Sequence, residues 1–184
     1  YTQMEFYWAY ADYKKGMALV EEMYKEVAKK TFGTLKFKTR GYDIDLEKKW
    51  VIYDYEDIIK KHTGINIYKA SEKEIKSKLN ELKVEYDPKL SKWRLVDSLW
   101  KFCRKKLPGP GFLTGQPAEI TPLAKRNSQD PRKVEQFQII IAGTALGNGY
   151  SELNDPLDQE ARFKEQRKMK DAGDKEAQEH DESF

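Results

Sequence analysis

The sequence predicts an α+β fold, and three observations support this class. Apolar and polar residues alternate in several short segments, which is typical of half-buried strands. Longer segments carry apolar residues at helical spacing and begin after capping residues. The tetrad Pro-Gly-Pro-Gly at 108–111 is the clearest break in the chain. We therefore expect three parts: residues 1–32, a small inserted α+β unit over 33–107, and residues 108–184.

The composition limits the kinds of protein that this sequence can encode. Among 184 residues, 34 are Lys or Arg and 31 are Asp or Glu, so the net charge is +3. That charge is too small to indicate nucleic-acid binding by itself. The largest apolar stretch, 137–146, is far shorter than the ~20 residues of a membrane helix. One cysteine, Cys103, cannot form an internal disulfide. We expect a reduced, cytoplasmic protein with no membrane contact.

The first third of the chain is predicted to contain a strand, a helix and several short strands. Residues 1–10 alternate at period two, which predicts a strand. A helix should follow the N-cap Asp12 and end at Gly33. Segments within 34–53 are typical of short strands, with a turn at 40–41.

The middle third is predicted to be mainly helical. Asp54 should cap a short helix that ends at Gly64. Ser71 and Glu74 have the spacing of a capping box and predict a second helix. Apolar residues on one side of 91–106 predict a third.

The last third is predicted to contain a strand-like segment, a hairpin and a charged helix. The strand-like segment covers 112–124, and the hairpin arms cover 134–141 and 145–153. Asp155 as N-cap and Pro156 at the first helical position predict the start of the charged helix.

The second hairpin arm carries the most informative pattern in the sequence. Asn148, Tyr150 and Glu152 fall on one face at period two, with an amide, a phenol and a carboxylate pointing together. Gly147 and Gly149 within a strand often mark close approach by a ligand or another backbone. An ordinary solvated strand face would show the same periodicity, so both interpretations remain open at this point.

The opening segment repeats the pairing of a carboxylate with a phenol. Glu5 and Tyr7 lie on one face of the predicted first strand. A buried carboxylate is costly unless a cation accompanies it. Two such strands side by side would therefore build an acid-lined pocket for a small cationic ligand.

Three blocks of the sequence resemble class II lysyl-tRNA synthetases. They occur in the family's order and read YTQMEFYWAYADY, PAEITPLAKRN and LGNGYSELNDPLDQEARFKEQ. The resemblance implies an antiparallel-sheet catalytic domain, with 33–107 as the insertion between motifs 2 and 3. It places the first residues on the second strand of motif 2 and the last before motif 3. Both catalytic arginines would then lie outside the chain, and we expect the chain alone to be inactive.

The resemblance also implies roles for individual residues in binding lysine. Glu5 would bind the α-amino group of the substrate, and Asn148 would bind its carboxylate. Glu152 would pair with the ε-ammonium group, to which Tyr7 would also hydrogen-bond. Tyr150 would form part of the pocket wall. None of these residues is expected to act as a covalent nucleophile.

The resemblance further implies ATP and Mg²⁺ as cofactors. Tyr1 stands where the family has an aromatic residue that stacks on adenine. The two glutamates that hold the ATP-bound magnesium in the family are replaced by Gln138 and Ala145. Because Mg²⁺ prefers hard oxygen ligands, above all carboxylates, we expect a weakened or altered metal site.

The function that follows from the resemblance is that of a lysine–tRNA ligase. The full-length enzyme would activate lysine with ATP to lysyl-adenylate, transfer it to tRNA(Lys), and form a homodimer. A related alternative is the synthetase-like enzyme that lysylates an elongation factor. A third hypothesis is a non-catalytic binding or regulatory module, which the replacement of the two magnesium-binding glutamates favours.

Overall fold

The computed structural model describes residues 2–171 and residue 177 of the chain. Groups of strands and helices follow one another along it, with three strands after the first helix and then three helices in succession, as expected for the α+β class. The helices are α1 Tyr13–Phe32, α2 Tyr55–Thr63, α3 Glu72–Glu81, α4 Lys92–Arg104 and α5 Pro156–Asp171, with a 3₁₀ turn at Ala118–Ile120. The strands are β1 Lys36–Thr39, β2 Tyr42–Asp45, β3 Val51–Asp54, β4 Gly111–Thr114, β5 Gln136–Ile141 and β6 Thr144–Tyr150. Within these bounds no helix is both long enough and apolar enough to cross a membrane.

Local capping chemistry sets the helix boundaries, and the sequence predictions for them are confirmed. The side chain of Asp12 accepts from the backbone of α1, which ends at the left-handed Gly33. Asp54 caps α2 in the same way. Ser71 and Glu74 form both bonds of a capping box at the start of α3.

Four strands form a mixed sheet in the order β3-β4-β5-β6, and β1 pairs with β2 in a separate hairpin. Strand β3 runs parallel to β4, whereas the other neighbours are antiparallel. The hairpin of β5 and β6 confirms the two predicted arms, and Ala142 and Gly143 at its turn have positive φ angles. The strand-like prediction for 112–124 holds only as far as Thr114, because Gly115 turns the chain at a φ of 74°.

The prediction of a strand over residues 1–10 is wrong for the residues that the structure describes. Residues 2–8 lie outside helices and strands, and a turn follows at 9–10. A strand requires backbone partners for its N–H and C=O groups, and within the described chain no strand pairs with this segment. Its aromatic side chains are consequently exposed, with Tyr7 79% and Trp8 52% accessible.

Strand β5 divides two apolar clusters. Phe137 and Ile139 face the cluster beneath α1, whereas Ile140 belongs to the cluster formed with α2, α3 and α4. This alternation is expected of a strand that is covered on both faces. Residues 33–107, predicted to be an inserted unit, contribute β3 to the sheet and residues to both clusters.

A buried arginine attaches α5 to the loop that precedes β5. Arg162 is 6% exposed, and its Nη2 donates to Asp158 Oδ2 at 2.7 Å while its Nη1 donates to the carbonyl of Ala124 at 2.6 Å. Arg126 also donates to the same carboxylate, at 3.0 Å from its Nε. Burial raises the pKa of Asp158, but the hydrogen bonds from Arg162 and Arg126 outweigh burial and lower it.

We predict that Asp158→Asn lowers the free energy of unfolding of the full-length protein by about 3 kcal/mol at pH 7. The reason is that loss of one partner leaves the buried guanidinium of Arg162 without its counter-charge. Because the native pKa of Asp158 is depressed, its contribution is present above the unfolded pKa of about 3.9 and is lost as the pH falls through the native value. Urea unfolding at several pH values measures both effects.

The matched control is Asp171→Asn on the same helix. That carboxylate is exposed and lies 3.9 Å from the Nε of Arg167, so its removal should change stability little. Equal losses in the two variants would show that the buried pair does not stabilise the docking of α5.

Candidate functional site

The end of β6 presents different residues to the two faces of the sheet. Ser151 faces α1, since its Oγ accepts a hydrogen bond from the backbone N–H of Tyr13 at 3.1 Å. The alternation of a strand then directs Asn148, Tyr150 and Glu152 to the opposite face. Asn148 is exposed and Tyr150 is half-buried. The geometry of β6 is therefore compatible with the prediction that these three residues share one face.

Both glycines of this arm have a packing explanation. A Cβ atom built on Gly149 would lie 2.6 Å from Cζ of Phe137, which is too close for any real contact. A Cβ on Gly147 would lie 3.1 Å from Cδ1 of Ile139. These glycines therefore admit side chains of β5 on the α1 side, and they face away from the polar residues of β6. The close approach that the sequence indicated is made by side chains of the chain itself.

The opening segment brings its carboxylate and phenol to the same place. The hydroxyl of Tyr7 donates to Glu5 Oε1 at 2.9 Å, and this hydrogen bond raises the pKa of Tyr7. The charge of Glu152 and the hydroxyl of Tyr150 raise that pKa further. Four of the five predicted lysine-binding residues therefore lie within electrostatic reach of one another, although the segment is not a strand.

The electrostatics of this group are those of an acidic site. Burial raises the pKa of Tyr150, and the charges of Glu152 and Glu5 add to the effect. Glu152 is exposed as a residue, but nearby atoms partly bury its carboxyl group, and this burial raises its pKa. Among the residues that the structure describes, no lysine or arginine contributes to the pKa shift of Tyr7, Tyr150 or Glu152. An arrangement with two carboxylates and no compensating cation favours a cationic ligand.

Two amides of β5 lie on the same face as these residues. Gln138 is paired in register with Asn148, and Gln136 with Tyr150. The Oε1 atoms of both glutamines are buried and have no hydrogen-bond partner in the described chain. Sequence reasoning did not select Gln136 as a site residue. Its period-two spacing from Gln138 is the signal that could have identified it.

The remaining predicted positions concern ATP and magnesium. Tyr1, predicted to stack on adenine, lies outside the described residues. Gln138 and Ala145 are the residues predicted to replace two magnesium-binding glutamates, and Ala145 packs against the apolar cluster that includes Ile140. The described residues hold no group of three His, Cys, Asp or Glu side chains suited to a metal ion. The residues at these two positions therefore do not fit a carboxylate-held Mg²⁺ ion.

Comparison with known proteins places this geometry in a family. The family of class II tRNA synthetases (D, K and N) matches residues 1–184. A lysine–tRNA ligase of Thermosipho africanus is 41% identical over 184 residues, which is all of this chain and 36% of that protein. A lysine–tRNA ligase of Thermotoga maritima is 42% identical over 177 residues, covering 96% of this chain and 35% of the relative. A lysine–tRNA ligase of Porphyromonas gingivalis is 36% identical over 185 residues. The chain thus spans about a third of the length of these relatives.

We predict that Gly149→Ala destabilises the full-length protein by about 1–3 kcal/mol, because the new methyl group overpacks the ring of Phe137. Gly147→Ala meets only the flexible end of Ile139 and should cost less. Adding Phe137→Leu to Gly149→Ala should recover part of the loss, which a double-mutant cycle in urea unfolding measures. If the two substitutions prove additive, contact with Phe137 is not the reason for the glycine.

Proposed function

The chain belongs to the class II tRNA synthetases, and we propose that the full-length protein to which it contributes is a lysine–tRNA ligase. The observation that carries this proposal is the pair of carboxylates, Glu5 and Glu152, near two phenols with no cation contributing to their electrostatics in the described chain. The family comprises enzymes for aspartate, asparagine and lysine, as its letters D, K and N state. All three amino acids carry the α-ammonium group, so the side chain decides between them. An acidic site would repel the carboxylate side chain of aspartate and gain nothing from the neutral side chain of asparagine, whereas it attracts the ε-ammonium group of lysine.

In this proposal, the residues of the chain bind and orient lysine for its activation by ATP. Glu152 pairs with the ε-ammonium group, and Glu5 binds the α-amino group. The hydroxyl of Tyr7 already donates to Glu5, and its free lone pair can accept from the ε-ammonium group at the same time. Asn148, which is exposed on β6, binds the substrate carboxylate. Tyr150 forms the wall of the pocket between the α-carbon end and the ε-ammonium end of lysine. Holding the substrate carboxylate in position supports catalysis chiefly through proximity and orientation.

The full-length enzyme would carry out a reaction in two steps. The first would form lysyl-adenylate and pyrophosphate from lysine and ATP, and the second would transfer the lysyl group to tRNA(Lys). Tyr1 would stack on the adenine of ATP, and the enzyme would act as a cytoplasmic homodimer. We assign no step to Mg²⁺, since Gln138 and Ala145 cannot supply the carboxylates that the family's metal positions require.

A non-catalytic lysine-binding module is the second candidate function. The packing of Ala145 against an apolar cluster favours it, because the position contributes to the core here and offers no ligand. Lysine-dependent exchange between ATP and pyrophosphate by the full-length protein separates the two candidates. Exchange supports the ligase, and lysine binding without exchange supports the module.

We predict that Glu152→Gln lowers kcat/KM for lysine, because the ε-ammonium group loses its counter-charge. The loss should reach roughly 10²-fold when bound lysine and ATP exclude water from the pair. Norleucine lacks the ε-ammonium group, so its weak activation should change little. Glu5→Gln should weaken lysine and norleucine alike, because both carry the α-amino group. Steady-state kinetics of ATP–pyrophosphate exchange measures each value.

The pH dependence supplies a second measurement. Burial raises the pKa of Glu152, so its carboxylate becomes protonated and lysine binding should weaken as the pH falls toward the pKa of this group. Glu152→Gln should abolish this part of the pH dependence. Glu22→Gln, at an exposed carboxylate of α1, is the control for removing one negative charge. Equal loss of discrimination in the Glu152 and Glu5 variants would contradict the proposed orientation of lysine.

A further inference from the structure

A groove lies on the α1 side of the sheet, away from the face that carries Asn148 and Glu152. Leu146 can line this side, although it is two residues from Asn148, because the pairing of β6 with β5 shifts by one residue between Ala145 and Asn148. Its walls come from the second half of α1, the hairpin of β1 and β2, and the turn between β5 and β6. The volume is about 280 Å³. Because three separate elements supply the walls, the groove is formed by the fold itself.

The lining of the groove is almost entirely apolar. Phe37 and Ile141 form part of its floor, and the edges carry large apolar side chains that remain accessible to solvent. Val27 is 56% exposed, Phe32 is 62% exposed and Leu146 is 49% exposed. Singly exposed apolar residues are common, but a group of them around one concave surface indicates a binding site.

Arg40 is the one charged residue among those that line the groove within the described chain. The other cations of the hairpin are neutralised locally, since Lys36 pairs with Glu47 and Lys38 pairs with Asp43. Arg40 has no hydrogen bond or ion pair with any residue that the structure describes. An unpaired guanidinium beside an apolar concave surface complements a ligand that has an apolar body and an anionic end.

Arg40 lies in the tight turn between β1 and β2, and the backbone of this turn fixes the position of its Cα atom. Arg40 has a φ of 48° and Gly41 a φ of 81°, so both residues of the turn are left-handed. Such turns favour Asn, Asp and Gly, and an arginine there is unusual. The side chain thus starts from a tight turn at the edge of the groove.

We propose that this groove binds a small apolar carboxylate, with Arg40 binding the carboxylate group. The volume lies just below the ~300 Å³ at which pockets for drug-sized ligands begin, so the ligand is an arylalkyl or short alkyl acid. Its apolar body lies between α1 and Leu146. The proposal does not depend on the assigned lysine–tRNA ligase function, because the groove and the lysine site lie on opposite faces of the sheet.

The test is a calorimetric or NMR titration of the full-length protein with 4-phenylbutyrate and with the neutral 4-phenylbutanol. We expect saturable binding of 4-phenylbutyrate. Arg40→Gln should weaken it by about threefold to fivefold, the size typical of an exposed charge pair, and should leave 4-phenylbutanol unchanged. The matched control is Lys38→Gln, which removes a neighbouring charge that does not line the groove and should change neither affinity.

A second variant tests the location of the site. Leu146→Trp fills the groove and should abolish binding of both probes, while a thermal melt confirms that the variant is folded. Equal affinities of Arg40→Gln and the unmodified protein for 4-phenylbutyrate would overturn the role of the arginine. Absence of saturable binding, or binding that survives Leu146→Trp, would overturn the site, including the case in which another part of the protein or a second copy covers the groove.

Discussion

The position of α1 against the sheet depends on the ring of Phe137. A Cβ on Gly16 of α1 would lie 3.2 Å from this ring, and a Cβ on Gly149 of β6 would lie 2.6 Å from it. The ring therefore occupies space that two glycines leave free, one on the helix and one on the neighbouring strand. T-shaped contact with Phe112 continues the packing onto β4. Around Phe137 this side of the sheet is closely filled, and the polar residues of β6, which alternate with Gly149, lie on the other side.

The sequence predicted those features whose causes are local. The capping box of Ser71 and Glu74 and the left-handed end of α1 at Gly33 are determined by residues only a few positions apart. The order of the four-stranded sheet was beyond sequence reasoning, because the pairing of Val51–Asp54 with Gly111–Thr114 joins segments about sixty residues apart. Periodicity over residues 1–10 predicted a strand wrongly for the same reason: alternation describes side-chain faces and does not supply a pairing partner.

The candidate site was predictable to the extent that it follows one strand. Period two placed Asn148, Tyr150 and Glu152 on one face of β6. The hydrogen bond between Tyr7 and Glu5 joins residues two positions apart, so it was consistent with the predicted pairing. The position of Gln136 beside this site was missed, because the sequence shows neither its cross-strand partner Tyr150 nor its buried oxygen without a hydrogen bond.

The electrostatics of the candidate site connect its structure to the substrate proposed for it. A carboxyl group whose pKa is raised by burial, as in Glu152, has lost hydration that no nearby protein cation replaces in the described chain. The charge of the same group also raises the pKa of Tyr7, so the phenol stays protonated and continues to donate to Glu5. A bound ammonium group would act against both shifts at once, because its positive charge lowers the pKa of the Glu152 carboxyl group and that of the Tyr7 phenol. The cost of keeping these acids together is therefore offset most fully by a ligand with two separated positive groups, and lysine is the amino acid of the D, K and N family that carries them.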